Sequence, residues 1–138
     1  MPRVVAVTAV RAWVNAHATL VGPGRPLAHG AHRTRLRSPG QGAYVLLYRV
    51  GGTGDLVAED PADRARIGGL IYAGTDEAAE VAATAYANAV EALSGVPAAM
   101  GSATCLVADD VIGPTLVDES RSDNDQWVYA VDADFYLI

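Results

Sequence analysis

The stretch TDEAAEVAATAYANAVEAL, residues 75–93, decides the fold. Ala78, Val81, Ala82, Ala85, Tyr86, Ala89, Val90 and Leu93 recur at the i, i+3, i+4, i+7 spacing that places side chains on one face of a helix. Glu77, Glu80, Thr84, Asn88 and Glu91 fall on the other face. Thr75 stands at the N-cap, and Asp76, Glu77 and Glu80 complement the positive helix start. Gly95 suits the left-handed position after the last turn, and Pro97 prevents continuation. The apolar face is built mostly from alanine, so the helix can sit close on a flat partner. The run Ala65 to Ala73 reads as a strand ending just before it. A helix lying on a sheet is therefore expected.

Working outward, Pro2 to Val21 reads as a helix, with Val7, Val10, Val14 and Val21 on one side, widened by Ala6, Trp13 and Leu20. Thr8, Arg11, Asn15 and Thr19 form its polar stripe. The valine density leaves an opening strand over Val4 to Val10 as the alternative. Gly22-Pro23-Gly24-Arg25-Pro26 breaks the helix. If Ala31 to Arg37 is extended, Arg33, Arg35 and Arg37 project from one side and Thr34 and Leu36 from the other. Ala43 to Val50 is a strand ended by the glycine cluster 51–54, and Leu56 to Arg64 is expected as a solvated loop. Val96 to Ser102 reads as a connector, and Ala103 to Ala108 as a short strand. Asp109 to Gln126, with Asp118, Glu119, Arg121, Asp123 and Asp125, reads as a polar hairpin or loop. In the closing strand Trp127 to Ile138, alternate residues from Trp127 to Leu137 face one way. Asp132 and Asp134 stand together on the other side, where an exposed acidic face is expected rather than a catalytic pair.

These elements give a single domain over residues 1–138 and an α+β fold. The expected sheet is mixed and largely antiparallel, of four to five strands, with the two helices packed mainly on one face. No apolar run approaches the ~20 residues of a bilayer span, and the N-terminus lacks the apolar core of a secretion signal, so a soluble protein is expected. The single cysteine, Cys105, excludes an internal disulfide and reads as a buried small hydrophobe.

The formal charge of −6 hides a segregation. Residues 1–54 carry seven arginines and no acid; residues 55–138 carry three arginines and all sixteen acids. Two readings stand side by side: a self-complementary surface joining one subunit to the next, or an uneven solvated surface. The basic segment 25–37 has no lysine and no interleaved aromatics, which weighs against nucleic-acid binding. The acidic run 118–125 does not follow the calcium-loop spacing, and His29 and His32 lack a second ligand pair for zinc. Neither a phosphate-binding loop, a dinucleotide fingerprint nor a nucleophile elbow is present. No catalytic, cofactor or metal residues are therefore assigned.

The order of several stretches resembles the tail terminator (tail completion) proteins of long-tailed bacteriophages, particularly those of actinobacteria. These stretches are Val10-Arg11-Ala12-Trp13-Val14 in the opening helix, Ser38-Pro39-Gly40-Gln41-Gly42-Ala43-Tyr44 leading into a strand, and Ala65-Arg66-Ile67 through Ile71-Tyr72-Ala73. Gly74-Thr75-Asp76-Glu77-Ala78-Ala79-Glu80 then opens the alanine-rich helix, and a strand of alternating aromatics closes the chain. The resemblance implies a non-enzymatic virion protein at the head-proximal end of the tail, assembled in the host cytoplasm. It implies a homo-oligomeric ring, expected to be a hexamer, that caps the tail tube, ends its polymerisation and meets the head–tail connector. DNA would pass through the lumen without specific binding. Arg33, Arg35 and Arg37 would contact a neighbouring subunit or the tube protein, and Asp118, Glu119, Arg121, Asp123 and Asp125 the tube or the connector. A head-completion or stopper protein is the runner-up, and a small nucleic-acid-binding module the third reading.

Overall fold

The structure, a computed structural model, describes residues 5–36, 42–52, 63–94, 96–117 and 126–138. Two helices, α1 (Ala6–Ala16) and α2 (Asp76–Glu91), accompany six strands: β1 (Ala31–His32), β2 (Tyr44–Gly52), β3 (Asp63–Ala73), β4 (Ala98–Met100), β5 (Ala103–Leu116) and β6 (Trp127–Leu137). They form one mixed sheet in the order β1-β2-β3-β6-β5-β4. The β1–β2 pair is parallel and every other pair antiparallel. The fold is α+β, with six strands rather than four to five. The additional edge strands, β1 and β4, are only two and three residues long, too short to show a period in the sequence.

The Thr75 hydroxyl caps α2 by accepting from the Ala78 N–H at 3.1 Å. The buried stripe is Ala79, Ala82, Ala83, Tyr86, Ala87 and Val90, so the helix is rotated from the expected face and Val81 points outward, 54% exposed. Alanines occur on several sides of this helix and cannot discriminate between neighbouring faces. The bulkier contact does: Tyr86 lies over Gly69 of β3, where an added Cβ would sit 3.5 Å from its ring.

Helix α1 is shorter than the apolar spacing predicts. After Ala16 the chain turns, Val21 bridges to Leu27, and the Leu27 N–H bonds to the Leu20 carbonyl at 2.8 Å. A helix continued to Val21 would forgo this fold-back, which buries both Leu20 and Leu27.

The expectation of two helices packed mainly on one face holds in part: both contribute to one core on the inner side of the sheet, but they sit on different strands. Helix α2 lies across β3, β6 and β5, the middle of the sheet, whereas α1 packs against β1 and β2 at one margin and β4 at the other. One helix can touch both margins only if the sheet rolls, and it forms a half-barrel around the core. Bulges in β2 and β5 accompany this curvature. The enclosed core holds Val10, Val14, Leu27, Val45, Leu47, Ile67, Ile71, Met100, Phe135 and Leu137. On the outer side of the sheet Tyr44 and Tyr72 stack at 5.0 Å beside Val128, with Leu36, Leu46 and Leu70 packed around them.

Two further expectations change. Strand β3 begins at Asp63, so Asp63 and Arg64 are not part of a solvated loop; Asp63 is buried and paired with Arg49. Strand β5 runs on to Leu116 instead of stopping at Ala108. Three breaks in its register with β6 erase the alternation by which such a strand would be read.

Candidate functional site

Three residues of the polar stripe of α1, Thr8, Arg11 and Asn15, bond to the β1 margin. The Asn15 side chain accepts from the Ala31 N–H at 2.8 Å and donates to the Ala31 carbonyl at 3.2 Å, as a neighbouring strand would. Arg11 adds a bond to the same carbonyl, and Arg33 donates to the Thr8 hydroxyl at 3.1 Å. Arg33 and Arg35, expected on one side of an extended segment, are not aligned there. Strand β1 ends at His32, so the extended geometry that would align them stops short. Arg33 turns to α1, while Arg35 lies 5.5 Å over the Tyr72 ring on the outer side of the sheet. Arg37 lies outside the described residues.

This margin is basic. Residues 5–36 contain Arg11, Arg25, Arg33 and Arg35 and no acid, and all four arginines are exposed. At the opposite margin β4 covers β5 only from Ala103 to Cys105. Beyond Cys105, no strand pairs with the outer edge of β5 among the described residues. That arm is exposed almost throughout from Asp109 to Val117, with Ile112 55% and Leu116 45% accessible. Its charges are Asp109 and Asp110. Asp118, Glu119, Arg121, Asp123 and Asp125, expected in the interface, fall outside the described residues.

The outer side of the sheet carries an ion-pair network that the sequence reading missed. Asp134 is not on an exposed acidic face but 4% exposed, accepting from Arg64 at 2.9 Å and Arg66 at 3.2 Å; Arg66 also reaches Asp110 at 3.2 Å. The β3–β6 register places Arg64 opposite Tyr136 and Arg66 opposite Asp134, and the signal was the matching alternation of Arg64 and Arg66 with Asp132 and Asp134. Asp132 stands opposite Gly68 and Ile112, so the two carboxylates have different surroundings. Its Oδ1 and the Tyr86 hydroxyl are buried without a hydrogen-bond partner among the described residues. Burial and then the nearby Asp132 carboxylate raise the Tyr86 pKa.

At the start of α2 the Tyr129 hydroxyl donates to Asp76, and this bond, followed by burial, pushes the tyrosine pKa up to about 12. Burial also raises the thiol pKa of Cys105. The His32 Nε2 engages the His29 carbonyl oxygen at 2.7 Å. Among the described residues no group of three or more histidine, cysteine or acidic side chains converges as a metal site. No described helix is long and apolar enough to cross a membrane. Comparison with family models, with curated proteins and with solved structures returns no match.

Proposed function

We propose that the chain is a ring-forming tail terminator of a long-tailed bacteriophage, a non-enzymatic virion protein that caps the tail tube and joins it to the head–tail connector. The observation that carries the reading is the placement of charge. Arg11 and Arg33 lie with α1 and β1, and Asp109 and Asp110 lie on β5 towards the other end of the strand order, Asp110 paired with Arg66. Unlike charges on two different strands of one subunit favour contact between unlike surfaces of neighbouring subunits, which close into a ring when the rotation between subunits permits. The serial resemblance described above supports the same reading over nearly the whole chain. It also supplies the hexameric expectation, the partners and the central passage for DNA. Acids around that passage would repel phosphate and let DNA slide.

Sedimentation of the purified protein, alone and with its tail tube protein, tests the proposal. A ring-sized species that forms free or on tubes, and limits tube growth, is expected. A strict monomer that never caps tubes rejects it. Preferential binding to the head connector over the tube would favour the head-completion or stopper reading.

A further inference from the structure

We infer that the arm of β5 beyond Cys105, residues 106–116, which no described strand covers, is the subunit-contact element, and that its occupant is the α1/β1 margin of a second copy of this chain. This rests on the ring reading and specifies its interface.

A sheet of this kind has two margins, and unpaired backbone at either invites uncontrolled strand addition. The margins are treated differently here. Asn15 occupies the outer hydrogen-bonding groups of Ala31, so β1 cannot accept another strand. Beyond Cys105 the outer edge of β5 has no such cover among the described residues. It is instead interrupted by bulges and by Pro114, which has no N–H to donate. Neither margin can propagate a ladder, so contact between them has to run through side chains.

The side chains on the two margins are complementary. The arm presents Ile112 and Leu116 to solvent, with Val117 just past its end, Asp109 beside them and Asp110 shared with Arg66 of the same chain. The α1/β1 margin presents Arg25 and Arg33 and, at the start of α1, the 64% exposed Val5. A copy docking arm to arm would bring together two arms that carry acids and no base. The charges therefore favour a heterologous contact.

Native mass spectrometry over a concentration series, with and without tail tubes, tests this on the full chain. The double variant Ile112→Lys, Leu116→Lys should raise the apparent dissociation constant of the oligomer at least about tenfold while leaving the melting curve in place. Asp109→Arg should weaken the oligomer, and adding Arg33→Glu should restore it. As a check independent of lost stability, a chain carrying Arg33→Cys and Ile112→Cys should give an intersubunit cross-linked ladder on oxidation. An oligomer indifferent to both lysines, or one that forms without cross-linking, overturns this interface and leaves the ring standing. A wild-type chain monomeric even on tubes overturns both.

Discussion

The side-chain amide of Asn15 bonds to both backbone groups of Ala31, accepting at 2.8 Å and donating at 3.2 Å, so a single helical residue finishes one margin of the sheet. Ala31 is fully buried with Asn15 in place, and truncating Asn15 removes the side-chain partner of its N–H. Replacing Asn15 by alanine should cost about 1 to 3 kcal/mol in urea unfolding, despite the better helix propensity of alanine. Asn15→Asp retains the acceptor for the N–H and should cost less.

Asp134 joins two arginines of β3 on the outer side of the sheet. Arg64 and Arg66 remain partly accessible and can turn to solvent, which limits the loss when the carboxylate is removed. Asp134→Ala should destabilise by about 1 to 3 kcal/mol. A double-mutant cycle with Arg66→Ala should show coupling, because the two groups share a bond.

Gly113 has φ +112, a conformation that L side chains rarely adopt, and a Cβ there would run into the Ala130 carbonyl oxygen. Gly113→Ala should lower stability by about 2 to 4 kcal/mol, read by thermal or denaturant unfolding. Gly51 has ordinary φ and open space around it, so Gly51→Ala is the control and should fall within about 1 kcal/mol of wild type.

Tyr129 supplies a pH signature. Its folded pKa is raised to about 12 from 10.0, first by the hydrogen bond to Asp76 and then by burial. The protonated phenol therefore favours the folded state. Its contribution is fully present below the unfolded value and is lost as pH rises from there through the folded value. Denaturant unfolding at pH 9 and pH 11 should show the wild type losing stability over this interval. Tyr129→Phe should lose less, the remainder coming from other buried tyrosines such as Tyr86, which is also raised. Equal slopes for the two proteins would remove the assignment.

The proposed lumen requires DNA to pass without being held. Immobilised duplex DNA should fail to retain the protein at low salt. Retention that falls steeply with added salt would point instead to a nucleic-acid-binding module using the basic segment 25–37.

The parts of the fold that were legible are those with a sustained period. The capped helix from Thr75, the strand before it and the closing strand from Trp127 are found within a few residues of their expected bounds. Other features rest on relationships that period cannot express. The fold-back through Leu20 and Leu27 ends α1 early because tertiary burial outweighs local spacing. The bulges of β5 hide a strand of 14 residues, and β1 and β4 exist only as margin pairs with longer neighbours. For the candidate surfaces, the charge imbalance along the chain was visible, but its distribution over opposite margins depends on strand order. Arg33 and Arg35 were expected side by side and are separated because β1 is only two residues long. The pairing of Asp134 with Arg64 and Arg66 needed the β3–β6 register.

The most direct test of the tail-terminator reading is electron microscopy of tail tubes polymerised with and without the purified protein. The account predicts shorter tubes, each bearing a ring of added density at one end. Tubes of unchanged length with bare ends, at protein concentrations well above that of tube ends, would contradict it.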